Sequence, residues 1–227
     1  EIREKSKRTF YTVTPIYYQH ICYGYCVSDG SLFALKSELS YLWTVNIGMA
    51  LENIRKWQWI NRMNEKINRM WKYDMLTQVL NRSGFFYCAE TILQKIKEEK
   101  SNAFIIFLDI DGLKSVNDNL GHEIGDAFIA KIAGILKEVV PKDCLIMRYG
   151  GDEFVVFGSC KQAGRMQRIA EDIKAAIKTA DQKENRSYHL AASLGCSLHK
   201  SYEMDNLNSL IELADKKMYE EKKNKRR

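Results

Sequence analysis

AFIIFLDI at residues 103–110 and CLIMRYGGDEFVVFG at residues 144–158 decide how this chain folds. The first carries one polar side chain, Asp109, and has apolar groups at both odd and even positions, so it predicts a strand covered on both faces. In the second, CLIMRY and EFVVFG read as two strands joined in a hairpin at Gly150-Gly151. Helical spacing fills the segments around them. Phe85, Phe86, Ala89, Ile92, Leu93 and Ile96 mark a helix over 83–98, and Phe128, Ile129, Ile132, Ile135, Leu136 and Val139 mark another over 126–139. A third helix is predicted over 162–179. Leu190, Ala192, Leu194, Cys196 and Leu198 fall at even positions of 188–198, the pattern of a strand with one buried face. A last helix over 205–223 turns Leu207, Leu210, Ile211, Ala214 and Met218 inward. The order β, α, β, β, α, β with flanking helices is that of a ferredoxin-like or palm-type α+β domain, a central, mainly antiparallel sheet over residues 73–227.

N-terminal to that domain the pattern changes twice. From Ser31 to Tyr73 there is no Pro and one Gly, and Leu35, Leu39, Leu42, Ile47, Ala50, Ile54 and Trp57 recur at helical spacing. The seam continues through Ile60, Met63, Ile67 and Met70 with one 3,3 step, a skip that kinks or overwinds a coiled coil. Residues 34–72 are therefore expected to form a helical, coiled-coil linker. Trp57, Trp59 and Trp71 around the stripe leave open a helix packed on its own domain. Residues 9–28 alternate bulky and polar groups, predicting two short strands around Pro15 and a turn at Ser28-Asp29-Gly30. Two strands do not stand alone, so residues 1–33 read as the trailing remnant of a sensor domain. TPIYYQHICYGY at 14–25 weakly resembles the last strands of GAF-type sensors.

The 227 residues, 45% hydrophobic and 28% charged, fit an ordinary globular chain and exclude a disordered or collagen-like one. No uninterrupted apolar run approaches the ~18 residues of a membrane span. Glu1 opens a charged stretch without a signal-peptide core, so an excerpt of a longer chain is expected. The net charge of +6 favours polyanionic ligands without requiring nucleic acid. Part of the excess lies in KKNKRR at 222–227, a run that fits a solvated helix end or a phosphate contact. Six cysteines without a CxxC pair or metal spacing read as thiols of a reducing cytoplasm.

Two acidic elements carry the chemistry. Asp109 ends a buried strand, where a carboxylate needs a cation or hydrogen bonds to replace its water. Asp111, two residues on, shares its face if the strand persists, and such a pair offers hard oxygens to Mg²⁺. Alternatively Asp111 belongs to an acidic turn capping the next helix. Asp152 and Glu153 follow Gly150 and Gly151, which have no side chains to block a phosphate. Neighbours in a strand point oppositely, so one of the two acids is expected to face Asp109's metal. Paired carboxylates on adjacent strands resemble the sites of enzymes that move nucleotidyl groups with Mg²⁺. With no GxxxxGK[ST] loop and no GxGxxG, P-loop kinases and Rossmann dehydrogenases are disfavoured.

RYGGDEF at 148–154 reproduces the signature of the GGDEF family of diguanylate cyclases. Asp74-Met75-Leu76-Thr77 with Asn81-Arg82 resembles that family's DxLTGLxNR opening. DIDGLKSVNDNLGHEIGD, Asp109 to Asp126, is similar to its second motif, and ADKKMYEEK, Ala214 to Lys222, to its closing helix. By these four ordered motifs the chain is identified as a member of the family.

The resemblance implies Mg²⁺-dependent condensation of two GTP molecules into cyclic di-GMP with release of two pyrophosphates. Two domains face each other, so a homodimer joined through the N-terminal helix is expected. Carried over by position, Asp109, the carbonyl of Ile110 and Asp152 hold Mg²⁺, with Mn²⁺ as the alternative ion. Glu153 holds a second metal or helps activate the 3′-hydroxyl. Lys114, Lys222 and Arg226 meet the phosphates. Asn117 and Asp126 read guanine, and His122 between them braces the loop. The RxxD inhibitory site is replaced by Pro141 and Cys144, which implies no product inhibition by that route. Gln78-Val79 replace Gly-Leu, Gly112-Leu113 replace an aromatic pair, and Lys225 replaces a final glycine. The rival reading is a silent module that binds GTP or cyclic di-GMP, but such modules typically lose the signature acids, and all are present. A mixed-dinucleotide cyclase is disfavoured by Asp126.

Overall fold

A computed structural model of the chain describes residues 11–29, 37–183, 188–200 and 207–225. Gly30, Leu35 and Arg226, which figure in the expectations above, lie outside the described residues. The chain divides into two compact units, Glu1–Ile67 and Asn68–Arg227.

In the first unit, β1 (Tyr11–Tyr18) pairs antiparallel with β2 (Ile21–Asp29). The turn is at Gln19-His20, and Gln19 takes the left-handed φ of 52° that a two-residue hairpin loop favours. The expected break at Pro15 is thus corrected; of the turn expected at Ser28-Asp29-Gly30, Ser28 and Asp29 belong to β2. Pro15 pairs with Tyr25 inside β1, tolerated because a two-stranded ribbon leaves each strand a free edge. Helix α1 (Ser37–Lys72) carries the predicted seam. Within the first unit it meets β1 at Gly48, where a Cβ would lie 2.4 Å from the carbonyl oxygen of Tyr17. One turn on, the buried Glu52 accepts from the Tyr23 hydroxyl and from Arg55 Nε at 2.7 Å. Arg55 first, and Tyr23 after it, hold the Glu52 carboxyl down to about 2. Ile47, Ile54, Trp57, Ile60, Ile67 and Met70 along the seam are all exposed.

The second unit is a four-stranded sheet between two pairs of helices. Its strands are β3 (Asn102–Ile110), β4 (Leu145–Arg148), β5 (Glu153–Cys160) and β6 (Ala192–His199). They lie in the order β4-β5-β3-β6, every neighbour antiparallel, as the ferredoxin-like reading requires. The helices are α2 (Arg82–Glu98), α3 (Leu113–Leu120), α4 (His122–Val139), α5 (Arg165–Lys183) and α6 (Leu207–Lys225). Phe104, Ile106, Leu108 and Ile110 of β3 pack with α4 and α5, while Ala103, Ile105 and Phe107 pack with α2 and α6. Asp109 therefore has the parity of the α6 side.

Two expectations change. Helix α4 starts at His122, because Gly121 at φ 88° ends α3 and lets the next helix begin at once. Strand β6 is covered on both faces, since Ser193 and Ser197 are fully buried while Leu198, expected inside, is 47% exposed. Small residues make this possible. A Cβ at Gly195 would lie 2.1 Å from the Ala214 carbonyl oxygen and 2.2 Å from the Met218 nitrogen, so α6 rests on the bare strand backbone.

Neither atom facing Gly195 can swing aside. Gly195→Ala is expected to destabilise the second unit by about 1–3 kcal/mol, read as a lower urea midpoint at unchanged slope.

Candidate functional site

The site begins where α1 ends. Asn81 Nδ2 donates to the carbonyls of Met70, Trp71 and Tyr73 at 3.2, 2.9 and 3.3 Å, while its Oδ1 accepts from Gly84 N at 2.9 Å. One side chain thus serves the last carbonyls of α1 and caps the start of α2. In the turn between, Asp74 accepts from the backbone and hydroxyl of Thr77 at 2.9 and 2.6 Å, and from Arg148 Nη1 at 3.1 Å. Gln78 sits at φ 55°, a conformation that glycine adopts without cost, which gives a physical reason for the glycine usual there.

Arg148 also donates to the Gly151 carbonyl from Nε at 3.2 Å and Nη2 at 2.8 Å. It therefore ties the Asp74 turn to the glycine hairpin. That hairpin is longer than the two-residue loop expected: Tyr149 N bonds Glu153 O at 2.8 Å, enclosing Gly150, Gly151 and Asp152. The two glycines differ in purpose. A Cβ on Gly150 would meet Glu153 Oε2 at 2.3 Å, whereas nothing lies within 4 Å of one on Gly151. Gly150 makes room for Glu153, and Gly151 leaves the loop open to an approaching group.

The acids meet across β3 and β5. Asp109 pairs in register with Glu153, and Ile110 N donates to Asp152 O at 3.0 Å. Paired residues share a sheet face, so of the two neighbouring acids Glu153 is the one that sides with Asp109. Asp109 is 7% exposed and accepts an ion-paired hydrogen bond from Lys222 Nζ. Burial raises the Asp109 carboxyl, the Lys222 bond pulls it back, and Asp152 and Asp111 raise it further. Glu153 is raised by burial, then by Asp152, Asp109 and Asp215. This oxygen-only set suits a hard divalent ion. Among the described residues, no three His, Cys, Asp or Glu side chains converge to hold a metal by themselves.

Asp111 departs from the metal-facing expectation. Strand β3 stops at Ile110, and Asp111 turns to Ser193 Oγ at 2.8 Å and Lys225 Nζ at 3.1 Å. Lys225 also donates to Ala192 O at 2.7 Å and Ser193 Oγ at 3.2 Å. The sequence marks it only as a departure from glycine.

The remaining residues gather around the α3–α4 corner. Asn117 Oδ1 is buried without a hydrogen-bond partner, and a Cβ on Gly125 would lie 1.8 Å from it. Asp126 follows Gly125 in the exposed part of α4, His122 begins that helix, and Lys114 is exposed on the first turn of α3. Leu113 is buried and Gly112 takes φ 78°, so the positions of the usual aromatic pair serve a tight turn and the core. A cleft of about 380 Å³ between α3 and Tyr188-His189 touches Asp111, Ser115 and Asn119, of which Asp111 alone is an expected site residue.

Residues 71–227 match the family model described as "Diguanylate cyclase, GGDEF domain". Diguanylate cyclase A of Treponema denticola is 29% identical over 199 residues, 86% of this chain and 53% of that protein. Diguanylate cyclase VdcA of Vibrio cholerae is 32% identical over 168 residues, 72% of this chain and 48% of that protein. The chain thus spans about half the length of these curated relatives. Among solved structures, the coiled coil and GGDEF domain of DgcB from Caulobacter crescentus, in complex with c-di-GMP, superimposes at a TM-score of 0.69. It shares 23% identity and covers 78% of this chain and 93% of that one. Signature, strand register and family match coincide over the second unit, and the chain belongs to the GGDEF diguanylate cyclase domain family.

Proposed function

We propose that the chain is an active diguanylate cyclase that condenses two GTP molecules into cyclic di-GMP and two pyrophosphates. The observation that carries this reading is the register of Asp109 against Glu153 with Asp152 beside them, all three acids intact. Asp109, the Ile110 carbonyl and Asp152 would hold a divalent ion, Mg²⁺ or alternatively Mn²⁺, whose charge neutralises the departing pyrophosphate. Glu153, on Asp109's face of the sheet and raised by burial and then by like charge, would hold a second ion or take a proton from the attacking 3′-hydroxyl.

Asn117 and Asp126 orient the base. The unpartnered Asn117 oxygen accepts from a guanine edge and Asp126 takes a second donor, a pattern that adenine leaves unpaired. Lys114, Lys222 and Arg226 attract the phosphates. The nucleophile belongs to a GTP on a second domain, so turnover needs two copies face to face. The exposed Ile54, Trp57, Ile60, Ile67 and Met70 of α1 are the surface on which a homodimer would form. In this reading residues 1–33 are a sensor's trailing edge, residues 34–72 relay its state, and the setting is cytoplasmic, in keeping with six free thiols.

Incubation with GTP and Mg²⁺ at several protein concentrations, with products identified by mass spectrometry, tests the proposal. Cyclic di-GMP should form with a rate steeper than linear in protein. GTP binding without product, even after fusion to an enforced dimer, would overturn it in favour of the silent module. Asp152→Ala should lower the rate at least about a hundredfold, the equivalent of a few kcal/mol of charge stabilisation, while its melting temperature stays near the parent's. Asp126→Ala should raise KM for GTP about tenfold or more and narrow the preference over ATP, read from kcat/KM for both nucleotides.

A further inference from the structure

Lys222 is the residue whose position departs most from its expected work on phosphates. Its ammonium lies on Asp109, the buried acid at the end of β3. Around that contact Glu153 pairs in register with Asp109, and the backbone carbonyl of Asp152 accepts from Ile110 N at 3.0 Å. Like charges crowded at low dielectric need a counter-charge to remain ionised together. Lys225, one turn on, has a different seat: one carboxylate, one backbone carbonyl and one hydroxyl within 3.2 Å, all near the start of β6.

We propose that Lys222 is a placeholder cation: it neutralises Asp109 until a divalent ion takes that position, and it then swings to the nucleotide's phosphates, while Lys225 keeps the end of α6 anchored. This deepens the proposed function, because it rests on Asp109 being a metal ligand. The exchange moves no proton, since one cation leaves the carboxylate as another arrives. A four-carbon stem gives the ammonium reach without moving the helix. Close packing of Gly195 against Ala214 and Met218 holds the helix still. The result is ordered loading: metal and nucleotide favour each other, because the ion frees the lysine that the phosphates recruit.

The proposal sets Lys222 apart from a lysine that serves only phosphates. A phosphate lysine leaves metal binding unchanged in the absence of nucleotide; a placeholder competes with the metal. Mn²⁺ binding to nucleotide-free protein at pH 8, followed by loss of the free-ion paramagnetic signal, reads the difference. Lys222→Met, which keeps the stem and removes the charge, is expected to bind Mn²⁺ about tenfold more tightly and to bind 3′-deoxy-GTP with Mg²⁺ about tenfold more weakly. Lys222→Gln should behave alike, which guards against a packing defect in either variant. Lys223→Ala is the control for charge at a distance, since Lys223 lies over the Tyr219 ring at 4.5 Å; its Mn²⁺ affinity should stay within about twofold of the parent. Adding Asp109→Asn to Lys222→Met should remove the gain. Unchanged or weaker Mn²⁺ binding by both Lys222 variants would overturn the placeholder role, whether or not the parent makes cyclic di-GMP. Tighter binding by the Lys222 variants of a parent that makes no cyclic di-GMP would sustain it and sink the cyclase reading alone.

Discussion

A carboxylate at the end of a strand walled in on both sides has lost most of its water, and its charge has to be balanced by whatever the fold brings to it. Asp109 is in that position because β3 runs through the centre of the sheet, with α4 and α5 on one face and α2 and α6 on the other. The same burial that makes β3 the core of the unit makes its last acidic residue electrostatically demanding. Everything at the site follows from meeting that demand. Glu153 at the start of β5 and Asp152 in the hairpin before it add to it, Lys222 answers it from α6, and Lys225 fixes the neighbouring turn.

The glycine hairpin is the second dependent element. Its place is set by Arg148, which holds Asp74 with one nitrogen and the Gly151 carbonyl with two others. The Asp74 turn is in turn joined to α1 and α2 by Asn81. From the last turn of α1 to the loop carrying Asp152 there is thus a continuous run of charged and amide hydrogen bonds. Each link uses a side chain that belongs to one of the signature stretches. The motifs are spelled far apart in the sequence and meet as one construction.

Legibility in the sequence follows the same physics. Strand β3 is plain because apolar groups at both parities have one explanation, burial on both faces. Strand β6 misleads because Ser193, Gly195 and Ser197 look like an exposed face, when their small size is what admits α6. Helix α3 escapes periodicity altogether, since LKSVNDNL turns only Leu113 and Val116 inward. The acids are legible as a motif, and their pairing follows once the topology is known. The lysines' seats are not, because Lys222 and Lys225 sit in a run that resembles any solvated helix end, and their carboxylate partners, Asp109 and Asp111, lie more than a hundred residues earlier.

The contact of α6 with β6 has a further consequence for change over time. Where backbone meets backbone, no side chain is available to absorb a substitution, so position 195 has no room for a Cβ whatever side chains stand at 214 and 218. Residues that touch nothing reactive thereby become as constrained as those that do. Substitutions in this domain are best absorbed on the outer helix faces, so one frozen frame can accept a changing set of surfaces.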